Sequence, residues 1–332
     1  MRINIPPITR ALLVTLVLLS LLTGVIRYRQ WTSIPEEDKE KRILLVPYLT
    51  IVPQASLVYP WVFLTATLVE QNLFSLFITG GTIFYGGRYL ERAWSSTEYA
   101  KFLLVVTLIP NVLSFITYIL WFAITGNETR SYASICGGVA LQAGFLVVFK
   151  QLVPEHLVTI LKGAIKIRVK HFPAIFLLLN ILSGFILGTD TASILAILGF
   201  LSSWTYLRFY KISFPDLTTD QPTSLRGDAS ETFAFASFFP DAVHGPIAAV
   251  ADAIYNVLVT IKICTPFSTE DVDAGNSQAA ARGEGGLPGL LSRGGGSAPP
   301  GSARAEAERR RALALRALDQ RLHAATGQPA PA

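Results

Sequence analysis

The stretch SICGGVALQAGF, residues 134–145, decides how this chain is interpreted, because it places a thiol and small residues inside an apolar run. Cys136 precedes Gly137, and Ala140 and Gly144 follow at helical spacing. Small residues let helix backbones approach closely, which is how helices associate in lipid. The stretch therefore indicates either the packing surface of a membrane helix or a nucleophile at the start of one.

The chain around this stretch has the composition of an integral membrane protein. Of its 332 residues, 51% are hydrophobic and only 15% are charged, and the apolar runs end near residue 210. About 20 apolar residues cross a hydrocarbon core of ~30 Å. We predict six membrane-spanning helices, at 8–26, 57–87, 102–124, 133–150, 172–188 and 191–207. The second is interrupted by Glu70, Gln71 and Asn72, and the first is expected to be an uncleaved signal anchor.

The distribution of Lys and Arg predicts the orientation in the membrane. With a cytosolic N-terminus, the cytosolic loops hold more Lys and Arg than the lumenal loops do, as the positive-inside rule requires. Both termini are therefore expected in the cytosol. The sequon Asn127-Glu128-Thr129 then faces the lumen. Its loop is very short, so we expect Asn127 to be unmodified.

Three regions follow from the composition. Residues 1–210 form the membrane domain, 211–264 a cytosolic segment, and 265–332 a Gly-, Ala-, Pro- and Arg-rich tail that we expect to be disordered, with a short helix near 304–324. The cytosolic segment contains an amphipathic helix that could lie on the membrane or dock on a partner. Its apolar face consists of Ile247, Val250, Ala251, Ile254, Leu258 and Ile261. The aromatic residues of SFFPDAVHGP, 237–246, suggest docking on a membrane or on a coat or tethering protein.

Several function classes are disfavoured by the same composition. The two cysteines, Cys136 and Cys264, can build neither a disulfide framework nor a zinc site, and we predict no metal and no cofactor. The net charge of +5 is spread along loops without a basic-aromatic platform, so nucleic-acid binding is not expected.

Three stretches resemble spans of the rhomboid intramembrane proteases. FLTATLVEQNLFSLFITGGTIFYGGRYLERAWSSTEYAKFLLV, 63–105, resembles the second span and its following loop, and its Leu90-Glu91 pair fits the pattern of that family. SICGGVALQAGF is similar to the fourth span, which carries Gly-x-Ser-Gly in rhomboids. ASILAILGFLSSWTYLRFY, 192–210, is similar to the sixth. The resemblance implies an all-α, six-helix rhomboid-like bundle followed by a cytosolic tail.

A narrower resemblance covers residues 8 to 264. The motifs PWVFLTATLVE, GRYLERAWSSTEYAKF, FKQLVPEH, SSWTYLRFY and FAFASFFP followed by KIC resemble the transmembrane protein 115 family of eukaryotic Golgi membrane proteins. The resemblance implies residence in Golgi membranes and a part in Golgi-to-ER retrograde vesicle transport, with a tethering complex as partner of the tail. It also implies self-association.

The catalytic positions of the rhomboid pattern are degenerate here. Cys136 stands at the nucleophile position, but Ala196 stands at the base position and Ser75 and Thr79 at the oxyanion-donor positions. The first histidine position reads Glu70. A thiol attacks as the thiolate, and without a base it stays protonated. We therefore predict that the protein is not an enzyme and that the stretch around Cys136 serves as packing surface.

The remaining candidate residues divide into packing and polar positions. The helix-packing candidates are Gly80, Gly87, Gly137, Gly144, Gly199 and Ser203. Glu70 is a functional candidate because ionisable residues at membrane depth are costly, although it could instead cap the second span at the interface. Glu91 and Arg92 are expected to tie a loop together rather than to contact a substrate.

The leading hypothesis is a lipid-embedded, non-enzymatic protein that binds transmembrane clients. Three alternatives remain open at this point. The protein could be an active intramembrane cysteine-type protease, a transporter or lipid-handling protein, or a structural anchor for the cytosolic tail.

Overall fold

The computed structural model describes most of the chain up to Glu284. The described residues are 5–35, 44–154, 156–160, 165–213, 225–260 and 267–284. The chain divides into two compact units, Met1–Gly283 and Glu284–Ala332, and the contacts given below lie within the first. Cys264 and the predicted short helix near 304–324 lie outside the described residues.

The described part of the chain is mainly helical. Its α-helices are α1 (Pro7–Ser33), α2 (Val62–Thr65), α3 (Leu73–Thr82), α4 (Arg88–Ala93), α5 (Ser96–Thr125), α6 (Glu128–Ser131), α7 (Val139–Leu152), α8 (Phe172–Leu187), α9 (Asp190–Thr205), α10 (Asp241–Thr260) and α11 (Thr269–Glu284). Two small antiparallel sheets pair β1 (Leu157–Ile160) with β2 (Ile165–Arg168) and β3 (Ile212–Ser213) with β4 (Leu225–Arg226). The prediction of an all-α protein is therefore right for the bundle and misses two hairpin-like connections.

Four described helices are long and apolar enough to cross a membrane. They are α1, α5, the stretch Val169–Leu187 that ends with α8, and the stretch Asp190–Tyr210 that begins with α9. The boundaries of α5 follow from its caps, because Ser95 accepts a hydrogen bond from the Glu98 N–H and Gly126 ends the helix at a φ of 64°. The integral membrane protein predicted from the composition is confirmed.

The second predicted span is broken rather than straight. Val62–Leu68 and Leu73–Ala93 meet at an angle of 97°, and the interrupting residues fall in the connection between them. If this bent pair counts as one span, the described chain has five. The break coincides with Gln71 and Asn72, which are both exposed and polar.

The fourth predicted span, 133–150, is shorter than expected. α7 has 14 residues, about 21 Å of helix, which is less than the ~30 Å hydrocarbon core of a typical bilayer. The helix begins late because Ile135 pairs with Ile51 as an isolated antiparallel bridge and Gly137 adopts a φ of 106°. An extended residue and a left-handed one cannot continue a helix toward its N-terminus.

The core of the bundle is built around α7, which contacts α3, α5, α8 and α9. Leu141, Phe145 and Val148 of this helix are buried, in one cluster with Phe102 of α5 and Phe200 of α9. α7 is too short to cross the bilayer by itself, and other helices of the protein surround it on several sides.

The aromatic run after the last span packs on the bundle itself. We call residues 225–239 the strap. Phe233 and Phe238 of the strap are buried, and the Phe238 ring lies 5.1 Å from the Phe200 ring and 3.4 Å from the Lys150 Nζ atom. The expected docking of these aromatics on a membrane or a partner protein is therefore wrong for Phe238, because the end of the bundle already buries it.

The region expected to be disordered begins with a helix. Ser268 and Asp271 exchange hydrogen bonds at the start of α11, which is a capping arrangement. Asn276 of the same helix accepts a hydrogen bond from the Glu231 N–H of the strap. The disorder predicted from residue 265 is therefore wrong for Thr269–Glu284, because capping and packing on the strap compensate for the poor composition.

Candidate functional site

The turn that leads into α7 is held by backbone contacts from two other segments. The Ile135 and Ile51 backbones exchange hydrogen bonds of 2.8 and 3.0 Å, and the Gly137 N–H donates to the Ala66 carbonyl at 2.9 Å. Gly138 is the N-cap residue of α7, and it has no side chain that could cap the helix. Cys136 is therefore fixed at the mouth of α7, between the broken second span and the loop around Ile51.

Glu70 supplies the cap that α7 lacks. Its Oε1 atom accepts hydrogen bonds from the Gly138 N–H at 2.8 Å and from the Thr79 hydroxyl at 2.6 Å. Its backbone N–H donates to the Ser20 hydroxyl at 2.9 Å. A carboxylate at a helix N-terminus is stabilised by the free N–H groups and by the helix dipole. Glu70 thus joins the break of the second span to the start of α7.

Two glutamine side chains complete the polar network. Gln142 of α7 donates to the Thr79 hydroxyl at 2.8 Å. Gln71 donates from its Nε2 atom to the Cys136 sulfur at 2.9 Å and to the Ser134 hydroxyl at 3.0 Å. The partners of Glu70 and the role of Gln142 were missed from the sequence. A polar residue inside the apolar run of α7 was the only available signal for Gln142.

The residues at the degenerate catalytic positions do not form a catalytic arrangement with Cys136. Thr79 is buried and hydrogen-bonded to Glu70, while Ser75 lies half-buried one turn earlier on α3. Ala196 is fully buried in the core, where it packs in the cluster of Phe145 and Phe200. The four histidines of the chain are His156, His171, His244 and His323, outside the sixth span.

The glycine positions face neighbours of different kinds. A Cβ atom at Gly199 would lie 2.5 Å from the Ala140 Cα, and one at Gly144 would lie 2.7 Å from the Val106 side chain. One at Gly87 would lie 2.6 Å from the Tyr99 hydroxyl oxygen. These glycines permit contacts of α9 with α7, of α7 with α5, and of the second span with α5.

The other packing candidates are placed differently. A Cβ atom at Gly80 would have only the Leu16 side chain nearby, at an ordinary contact distance of 3.8 Å. Gly137 serves the turn before α7 rather than a helix contact, because its φ of 106° is one that residues with a side chain rarely adopt. Ser203 is fully buried and donates to the Phe200 carbonyl within α9.

Glu91 ties the start of α1 to the start of α5. Its carboxylate accepts hydrogen bonds from the backbone N–H groups of Ile8 and Thr9 at 3.1 and 2.8 Å. It also accepts from the hydroxyls of Thr9 and Ser96, both at 2.8 Å. Arg92, beside it, is exposed. The geometry gives Glu91 a capping role.

Among the described residues, no group of three or more His, Cys, Asp or Glu residues could hold a metal ion.

Comparison with known proteins finds similarity across most of the chain. The family described as Eukaryotic integral membrane protein (DUF1751) matches residues 10–324. Rhomboid-like protein 19 of Arabidopsis thaliana is 32% identical over 279 residues, which cover 83% of this chain and 81% of that protein. The transmembrane protein 115 homolog of Saccharomyces cerevisiae is 28% identical over 96% of this chain and 93% of its own length. Transmembrane protein 115 of Homo sapiens is 29% identical over 79% of this chain and 67% of its own length.

Proposed function

Because this chain belongs to the DUF1751 family of eukaryotic integral membrane proteins, with transmembrane protein 115 and rhomboid-like protein 19 among its relatives, we propose that it is a rhomboid-like protein without protease activity. It binds membrane clients instead of cleaving them. Its site of action is the Golgi membrane, where it takes part in retrograde vesicle transport to the ER.

The observation that carries this proposal is the occupation of the backbone donors beside Cys136. Acyl transfer needs N–H donors aimed at the oxygen on which negative charge develops. The Gly137 N–H already donates to the Ala66 carbonyl, and the Gly138 N–H donates to the Glu70 carboxylate. A client carbonyl that approached Cys136 would have to displace an acceptor that the chain itself supplies.

The absence of a base at the sixth-span position supports the same proposal. Ala196 has no proton-accepting group, and the Gln71 amide and the Ser134 hydroxyl that hydrogen-bond to the Cys136 sulfur act as donors. General base catalysis requires a proton acceptor within hydrogen-bond reach of the nucleophile. The thiol therefore stays protonated and unreactive.

Cleavage and binding assays on the same samples test the proposal. Purified protein in lipid vesicles is incubated with labelled transmembrane substrates, and Cys136→Ala is assayed beside the wild type. We expect no cleavage by either protein and equal retention of a subset of the helices by both. Cleavage by the wild type that Cys136→Ala abolishes would establish a thiol protease and refute the proposal.

Localisation tests the transport part separately. A tagged full-length copy is expected to co-stain with cis- and medial-Golgi markers, and its partners are expected to include tethering factors and further copies of the chain. Uniform ER or mitochondrial staining would contradict a role in retrograde transport.

A further inference from the structure

α10 leaves an apolar stripe uncovered. Val243, Val250 and Ile254 are 43%, 60% and 56% exposed. At about 100° per residue, these three side chains fall within roughly 40° of one another around the helix axis. The exposed Asp252 falls on the opposite side. The uncovered surface is thus a narrow, continuous face rather than scattered apolar residues.

A second face of α10 is already used by the protein. Ile247, Ala251 and Tyr255 are half-buried, and the helix contacts the strap at Phe235–Phe238. This second face neighbours the apolar stripe on the helical wheel. The half-buried face lies toward the rest of the protein, and the apolar stripe lies beside it on the exposed side of the helix.

The attachment point places α10 at the end of the bundle. Phe238 is fully buried against Phe200 and Lys150, which lie near the last turns of α9 and α7. Three residues later, Asp241 begins α10, so the start of the helix is within about 10 Å of Phe238. At the end of the last span, Tyr210 and Ile212 are also exposed apolar side chains.

The charge of α10 indicates which kind of lipid surface the apolar stripe could enter. The helix contains neither Lys nor Arg; its acidic residues are Asp241 and Asp252, and its one histidine is His244. Interfacial helices that select anionic lipids carry basic residues on their polar face. A stripe without them gains its binding energy from buried apolar area alone, which does not depend on salt.

We propose that α10 lies in the interface of the surrounding bilayer, with Val243, Val250 and Ile254 inserted among neutral lipids. The helix thereby extends the lipid-facing surface of the bundle. It holds the strap and α11 close to the membrane, which goes beyond the client binding proposed above and does not depend on it.

A site-specific fluorescent label tests this placement. Full-length Val250→Cys and Ile254→Cys, in a Cys136→Ser, Cys264→Ser background, are labelled with an environment-sensitive dye and reconstituted in neutral phosphatidylcholine vesicles. Asp252→Cys in the same background is the matched control. We expect quenching by spin-labelled lipid at least twofold stronger at 250 and 254 than at 252, unchanged in 1 M salt and at one protein copy per vesicle.

Each other result would overturn the proposal. Equal quenching at all three positions, or a water-like emission at 250 and 254, would show that the stripe does not enter the bilayer. A dry environment without lipid quenching, lost at one copy per vesicle, would assign the stripe to a second copy of the chain. Quenching lost in 1 M salt would show electrostatic adsorption instead of apolar insertion.

Discussion

At the scale of single residues, two buried glutamates act on helices that are distant in sequence. α1 begins after Pro6 and α7 after Gly138, and neither N-cap residue has a side chain that caps its own helix. Glu91 and Glu70 supply the missing acceptors from elsewhere. In lipid no water is available for free N–H groups, so each unsatisfied donor is costly.

Replacing Glu70 tests the value of this cap. Glu70→Leu removes the acceptor of the Gly138 N–H and the Thr79 hydroxyl, and leaving such donors buried costs about 1–3 kcal/mol each. Glu70→Gln keeps an acceptor oxygen and should lose less than half as much. Thermal unfolding of the purified variants in detergent measures the difference. Ser75→Ala, on the neighbouring turn of α3, is the control and should change the midpoint little.

If Glu70→Leu unfolds at the wild-type temperature, the carboxylate is not a structural cap. The occupation of the backbone donors would then carry no weight in explaining the lack of catalysis.

Glu91 offers a comparison with Glu98, a half-buried carboxylate on the same stretch of chain. Glu91→Ala removes hydrogen bonds from two backbone N–H groups and two hydroxyls, and we expect a loss of about 3 kcal/mol. Glu98 pairs with Lys101, whose side chain is 60% exposed, and such surface pairs contribute at most about 1 kcal/mol. Chemical unfolding monitored by tryptophan fluorescence should give Glu91→Ala a much lower free energy of unfolding than Glu98→Ala. The reverse order would contradict the capping role.

At the scale of elements, the contact between α7 and α9 depends on one missing side chain. A methyl group at Gly199 would meet the Ala140 backbone, which cannot move without shifting α7. Gly199→Ala should therefore destabilise the bundle by about 1–3 kcal/mol. Gly81→Ala is the matched control, because nothing lies within 4 Å of the new atom and alanine favours a helix by about 1 kcal/mol. Gly81→Ala should unfold at or above the wild-type temperature. Equal behaviour of the two variants would show that the α7–α9 contact is loose.

The rate at which the strap opens locally measures how strongly the packing of Phe238 holds it on the bundle. Phe238→Ala empties a site between Phe200 and Lys150, and large-to-small changes of buried aromatics cost about 3–5 kcal/mol. We expect faster proteolysis within 225–239. The control is Phe185→Ala, whose side chain is 87% exposed on α8 and should leave the rate unchanged. Unchanged proteolysis of Phe238→Ala would show that the strap is held by its polar contacts alone.

The helices were predictable where a local pattern determines them and not where a distant contact does. The apolar runs fix both ends of α8 and the end of α5 to within one residue, since a long apolar run needs no partner to be recognised. The start of α5 lies six residues before the predicted span, in a polar turn that the hydropathy pattern does not include. The late start of α7 was not predictable, because it depends on Ile51, which pairs with Ile135 from 84 positions away. The strap was misjudged for a similar reason, because Phe238 has its aromatic partner in the preceding span.

The candidate site shows the same division. Glu70 and Glu91 could be recognised as exceptional from composition alone, because charges are rare at membrane depth. Their capping roles could not, since the backbone N–H groups that they satisfy lie 68 positions from Glu70 and 82 or 83 positions from Glu91. Similarly, α11 is stabilised by contacts with the strap that its Gly- and Ala-rich sequence does not reveal.

At the scale of the whole molecule, two groups of polar contacts lie at opposite ends of α5. One group joins the starts of α1 and α5 through Glu91. The other joins the start of α7 to Glu70, and an ion pair between Arg130 and Asp190 joins α6 to the start of α9. α5 runs from the first group to the second. The start of α1 therefore lies at one end of the bundle and the start of α9 at the other. A chain that joins opposite sides of a membrane crosses it an odd number of times, which fits the five crossings that precede α9 in a six-span arrangement.

The membrane topology is the last prediction, and glycosylation can map it. We expect both termini in the cytosol and the loop at Asn127 in the lumen. The native Asn127 follows α5 directly and should stay unmodified, since it lies close to the bilayer. A long flexible loop with its own sequon, inserted after Gly126, should gain a glycan that endoglycosidase H removes. The same loop appended after Ala332 is the control and should gain none.

A glycan on the C-terminal loop, or none on the loop after Gly126, would refute this topology. The second outcome would mean that the bent second span does not cross the membrane.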